Sequence, residues 1–114
     1  MNHVLGICDS ETAYAYQLAG YFSSKRGFPF QVQLFTSSDT LEEYLKKKPL
    51  AVALISEKDY KEKLKELSID EILILGEGEK ERQEEFKTIY KYQSSEMIGR
   101  QLLDWIAQKG IKGR

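Results

Sequence analysis

Cysteine, histidine and tryptophan each occur once in the 114 residues, and that scarcity removes several kinds of site from consideration. One thiol, Cys8, forms no internal disulfide, which fits a reducing cytosol. One histidine, His3, is a poor basis for a metal centre, since such centres gather several nitrogen, sulfur or carboxylate donors. No apolar run approaches the roughly 20 residues that span a bilayer. Nor does a basic segment followed by a long apolar stretch open the chain, so no secretory signal is visible. Neither sign of charge dominates: 17 Lys and Arg stand against 18 Asp and Glu. That balance is unlike a nucleic-acid binder's, although it leaves room for a local basic patch. A Walker-type glycine-rich loop is also missing, and with it any basis for assigning nucleotide hydrolysis. The expectation is a cytoplasmic domain with no membrane insertion.

What is present is 41% hydrophobic and 31% charged, the make-up of one globular domain with one core. Its organising run is Leu50 to Ile55, led in by Pro49 and stopped by Ser56-Glu57. Apolar residues without alternation suit a strand covered on both faces. His3 to Cys8, ending at Asp9-Ser10-Glu11, and Ile72 to Leu75, ending at Gly76, read the same way. Phe30 to Thr36 instead alternates Phe30, Val32 and Leu34 with Gln31 and Gln33, as a half-exposed edge strand does. Thr88 to Tyr92 reads as a fifth strand, with Ile89 inward and Tyr90 and Tyr92 at the edge.

Helical spacing fills the intervals. Glu11 to Arg26 puts Ala15, Leu18, Ala19 and Phe22 on one face, with Asp9 or Ser10 as N-cap and Gly27 as stop. Thr40 to Lys47 is capped from Ser37-Ser38-Asp39 and presents Leu41, Tyr44 and Leu45. Asp59 to Leu67 is a polar helix whose apolar points are Tyr60, Leu64 and Leu67. Gly76 to Glu85 has no apolar stripe and reads as a weakly packed helix, a loop or a covered surface. Glu96 to Ala107, capped by Ser94 or Ser95, buries Ile98, Leu102, Trp105 and Ile106. Alternating strands and helices require right-handed crossovers and a doubly wound parallel α/β sheet, five strands in the order 2-1-3-4-5. Residues 1–107 form the domain. Residues 108–114, with two glycines and three basic groups, read as a linker to a further domain.

This pattern resembles the receiver domain of response regulators over essentially the whole chain. In that family acidic residues after the first strand hold magnesium, an aspartate ending the third strand accepts a phosphoryl group, a Ser or Thr ends the fourth, and a lysine ends the fifth. Asp9 and Glu11 match the acidic positions and Lys91 the lysine. The acceptor position, however, falls on Ile55 or Ser56, the hydroxyl position on Gly76, and Tyr92 follows Lys91 where proline is usual. Phosphoryl transfer to such a domain needs a carboxylate nucleophile, and Ser56 has no base in view to activate it. More narrowly, the Leu-Ile-Ser-Glu end of strand three and the segment Ile89 to Ser94 are similar to the atypical receiver domain ahead of the ParA-like ATPase in the TadZ/CpaE pilus-assembly family. That resemblance implies a non-catalytic regulatory or interaction domain, acting in dimerisation or localisation, with an ATPase domain beyond residue 114.

Two other chemistries compete with that expectation. One is an operating phosphoacceptor of a two-component system. The other is a phosphocysteine carrier or phosphatase using Cys8, but the following Asp-Ser-Glu-Thr-Ala-Tyr lacks glycine and arginine and would repel a phosphate dianion. Asp9, Glu11, Ser56 and Lys91 thus outline a vestigial acidic pocket, with no cofactor expected beyond weak magnesium binding at Asp9 and Glu11. Receivers commonly associate through the fourth helix, fifth strand and fifth helix. The matching surface here holds Glu81, Glu85, Lys87, Tyr90, Tyr92, Arg100 and Gln101, mixed charges with interleaved tyrosines that suit a second copy or a protein partner.

Overall fold

The computed structural model describes residues 3–78 and 86–110. In chain order it contains β1 (Val4–Cys8), α1 (Thr12–Ser24), β2 (Gln31–Phe35), α2 (Ser38–Leu45), β3 (Leu50–Ser56), a 3₁₀ turn (Glu62–Glu66), β4 (Ile69–Gly76), β5 (Lys87–Tyr90) and α3 (Ser95–Lys109). All strand pairs are parallel and the order is β2-β1-β3-β4-β5, as the alternation of elements requires. The central strand β3 is buried at every residue from Leu50 to Ser56.

The sheet separates two apolar layers. Ala15, Leu18, Ala19 and Phe22 of α1 are all buried, and with Ile98, Leu102 and Ile106 of α3 they cover one face. Leu41 and Leu45 of α2 and Leu64 of the 3₁₀ turn cover the other, with Tyr44 partly buried beside them. Gly99 is where α3 meets α1: a Cβ there would stand 3.0 Å from the Phe22 ring. No helix among the described residues is long and apolar enough to cross a membrane.

Several boundaries differ from the sequence reading. The polar segment 59–67 forms a 3₁₀ turn rather than an α-helix, because Leu64 is its only buried residue and gives an α-helix no stripe to pack. Three α-helices are present among the described residues, the segment 59–67 being the expected helix that is replaced. β4 starts at Ile69, since Leu50 and Ile69 are paired partners and the indole N–H of Trp105 donates to Glu71 Oε2 (2.8 Å). That contact leaves Trp105 partly buried rather than within the core. The α1 cap is Glu11, without a side-chain hydrogen bond, in place of Asp9 or Ser10. α3 runs on through Gln108 and Lys109, two residues into the stretch read as linker, and closes on Gly110 at φ 77°. Most of the segment 76–85, with Glu81 and Glu85, lies outside the described residues.

Candidate functional site

Parallel strands deliver their following residues to one edge of the sheet, and that edge is where open α/β folds place sites. β1 hands over Asp9, which is fully buried. Its backbone N–H donates to the Phe35 carbonyl (3.0 Å), extending the ladder by one residue. Its Oδ1 accepts from the Glu11 N–H (2.9 Å), a local turn that engages one of the donors at the start of α1. That turn is the reason Asp9 does not cap the helix in the usual way.

β5 ends at Tyr90, so Lys91 falls just past the strand, with its backbone N–H donating to the Gly76 carbonyl (2.8 Å). The side chain turns inward and is fully buried. Its ammonium lies 2.8 Å from Asp9 Oδ2 and also pairs with the Glu11 carboxylate, while Glu77 stands at 3.8 Å. Tyr14 and Tyr92 flank the same ammonium, with ring centroids 4.7 and 5.5 Å away. The Tyr14 hydroxyl donates to the Lys91 carbonyl (3.0 Å), so α1 holds the lysine by its backbone as well as by its charge.

These neighbours set the protonation states. Burial alone would lower the Lys91 value, but the carboxylates of Asp9 and Glu11 more than reverse it and hold the lysine charged above its ordinary range. Hydrogen bonding to Lys91, then its charge, holds Glu11 below the usual carboxylate value. Burial pushes the Tyr14 phenol up to about 12, against the pull of Lys91. Burial, followed by the charges of Asp59 and Asp9, pushes the Cys8 thiol up to about 12, so at neutral pH it lacks the nucleophilic thiolate form.

The exit of the central strand holds a residue that the sequence reading placed in a solvated helix. Ser56 is buried, and its Oγ–H donates to Asp59 Oδ2 (2.5 Å). The same oxygen accepts from the Ser10 N–H (2.7 Å). The N–H groups of Asp59 and Tyr60 both donate to the Ser56 carbonyl (3.0 and 3.1 Å), closing a turn that swings Asp59 back over the strand end. A base-type partner for Ser56 therefore exists, contrary to expectation. The signal was the Ser-x-x-Asp spacing of Ser56 and Asp59, which resembles a capping box without the apolar helix that normally follows one.

Gly76 ends β4 where family resemblance would expect a hydroxyl. A Cβ at this position would stand 2.6 Å from Thr88 Cγ2 and 3.4 Å from Glu57 Oε1, so the site has no room for a serine or threonine without movement. Glu57 Oε1 instead accepts from the Glu77 N–H (3.2 Å), tying the two strand exits together. A magnesium ion does not fit this donor set well. Lys91 already bridges Asp9 and Glu11, and among the described residues no three His, Cys, Asp or Glu side chains are grouped to hold a metal.

Of the expected interaction face, Lys87, Tyr90, Tyr92, Arg100 and Gln101 fall among the described residues. Tyr90 and Tyr92 are about half exposed and meet edge to face, centroids 5.9 Å apart. Gln101 is linked to them through Gln93, with which it exchanges amide hydrogen bonds (3.3 Å) and which donates to the Tyr90 carbonyl (2.8 Å). The Lys87 ammonium lies 5.5 Å from the Trp105 ring centroid, and Arg100 turns along α3 to Glu96 (3.7 Å). No protein-family model and no curated protein matches this chain.

Proposed function

We propose that this chain is a receiver-like interaction domain that takes up no phosphoryl group, of the kind found ahead of the ATPase in TadZ/CpaE-type pilus-assembly proteins, and that it works in the cytoplasm. The observation that carries this reading is the self-saturated exit of β3. Ser56 and the Ser10 N–H both bond to Asp59, and Lys91 is shared by Asp9 and Glu11. A phosphoacceptor site needs a free carboxylate oxygen, an accessible cation and a hydroxyl that follows the phosphate. Here Ser56 is buried, Asp59 Oδ2 is already doubly hydrogen-bonded, and Gly76 supplies no hydroxyl.

What remains for function is surface, and the Tyr90–Tyr92 pair beside Lys87, Arg100 and Gln101 is the face best suited to a protein partner. Incubation with acetyl phosphate and magnesium, followed by intact-mass analysis, tests the reading. The protein is expected to gain no phosphate. A stoichiometric phosphate mapped to Asp59 or Ser56 would overturn the proposal and make the chain a displaced phosphoacceptor; phosphate on Cys8 would make it a carrier.

A further inference from the structure

The Lys91 ammonium reaches beyond its carboxylates to an aromatic pair at the surface. It lies 4.7 Å from the Tyr14 ring centroid and 5.5 Å from that of Tyr92, a residue 51% exposed. Neighbouring side chains of an extended strand point to opposite faces, so Lys91 and Tyr92 would diverge if β5 continued. Instead β5 ends at Tyr90, and the bend at residues 91–93 turns Tyr92 back over the buried lysine. Gln93 ties this bend by donating its amide N–H to the Tyr90 carbonyl (2.8 Å). Tyr92 in turn meets Tyr90 edge to face, with the ring planes at 79°. Gly78, just past β4, backs Tyr90: a Cβ there would stand 3.3 Å from Tyr90 Cε1.

Stability alone gives no reason for an ion pair in this place. Replacing a buried pair by apolar groups of similar volume is often neutral or stabilising. What an apolar side chain cannot do is select the face of a ring. An ammonium is drawn to the negative face of an aromatic ring, and most strongly where water is excluded, as at the fully buried Lys91. Asp9 and Glu11 keep that ammonium charged.

We propose that Lys91 is a positioning residue for the Tyr90–Tyr92 pair, the buried charge cluster setting the two exposed rings for a protein partner. This rests on the reading, given above, of the Tyr90–Tyr92 face as a docking surface. Contacts run in sequence from Asp9 and Glu11 to Lys91, then to Tyr92, then to Tyr90. Rings held before contact lose less side-chain freedom when a partner arrives. Lys91 is buried and acts only through Tyr92.

Magnetic resonance on the full chain reads the order of the rings. Three-bond couplings that report χ1 are expected to show one rotamer each for Tyr90 and Tyr92. In Lys91→Met with Asp9→Asn, which removes both charges of the buried pair, both tyrosines should give rotamer-averaged couplings. The cross-peak between their rings should weaken at least threefold. Tyr16, 62% exposed on α1 and outside these contacts, should keep its couplings. A second variant, Tyr92→Leu, leaves the buried pair in place. It should release Tyr90 into averaged couplings and move the Lys91 Hε signals downfield as the ring current is lost. Single-rotamer couplings retained at Tyr90 and Tyr92 in the double variant would overturn the proposal. So would Lys91 Hε signals that stay in place in Tyr92→Leu, since the ring would then not rest on the ammonium. These readouts come from the free chain, so their failure overturns this inference alone, whereas phosphate uptake overturns the reading beneath it.

Discussion

Two regions of this small sheet treat unsatisfied polar groups in opposite ways. At the carboxyl end of β1, β3 and β5, polar groups are brought together and pair with one another: Asp9 with Lys91, Ser56 with Asp59. At the β2 edge, backbone donors and acceptors of an uncharged strand have no strand partner among the described residues. The first region pairs its polar groups within the chain; the second has no recognisable motif and turns backbone groups outward. A burial-competent charge pair is costly to assemble in low dielectric and persists only when its partners are complete. An open edge needs no such assembly, and its hydrogen bonds are satisfied by water until another strand arrives.

Breaking the closed region should have the largest effect. Lys91→Met leaves the Asp9 carboxylate buried without its cation, and is expected to lower unfolding free energy by about 3–5 kcal/mol in urea titration. Adding Asp9→Asn should recover much of that loss, because the penalty belongs to the unpaired charge and not to the missing ammonium. A double variant as unstable as the single one would mean that Lys91 acts mainly by packing against Tyr14 and Tyr92.

Asp59→Ala is a smaller cut at the same end. It strips the buried Ser56 hydroxyl and the Ser10 N–H of their shared acceptor, and should cost about 1–3 kcal/mol by thermal or urea unfolding. Removing Ser56 as well, as Ser56→Ala with Asp59→Ala, should cost little more than Asp59→Ala alone.

The pH dependence sharpens the comparison further, since β2 contains no titratable group and the carboxyl end of the sheet contains several. Glu11 is held below its ordinary value near 4.5, so its contribution is complete above that pH and fades as pH falls through the lower folded value. Lys91 is held above its ordinary value near 10.5, and Cys8 is pushed up from 9.0 to about 12. Stability linked to these two is complete below pH 9 and is lost as pH rises, first through Cys8 and then through Lys91. Urea midpoints should therefore form a plateau between about pH 5 and pH 9 with respect to these groups. The acid limb should be shallow and salt-sensitive, because Glu11 is 43% exposed. In Glu11→Gln that limb should shrink and the Lys91 part of the alkaline limb should weaken, because Glu11 helps to hold Lys91 charged, while the Cys8 part stays.

Much of the architecture was legible because it depends on local spacing. Ala15, Leu18, Ala19 and Phe22 recur at helical intervals and are buried; Gln31 and Gln33 alternate with Val32 and Leu34 and are exposed. Strand order together with the receiver resemblance put Asp9, Glu11, Ser56 and Lys91 at one end of the sheet, and the structure brings them there. Asp59 was not legible, since its role comes from a turn that reverses it over Ser56 and the segment's charges resemble a solvated helix. Nor was the depth of Lys91, because lysines are seldom fully buried and only Asp9, Glu11 and two tyrosine rings together make that tolerable.

By itself the sequence determined the layers and their order. Periodicity of apolar residues tells which face of a helix or strand avoids water, and short β-α connections leave few ways to stack the results. It also determined that the central strand ends on Ile55 and Ser56, with no carboxylate at either position. Tertiary structure alone decided how the strand end is built, with Asp59 returning to Ser56 and Lys91 drawn between Asp9 and Glu11, and which strand edge stays unpaired among the described residues. The physical reason is range. Hydrophobic spacing is written within a few residues, whereas a charge or a hydrogen-bonding group is satisfied by whatever distant residue the fold sets beside it.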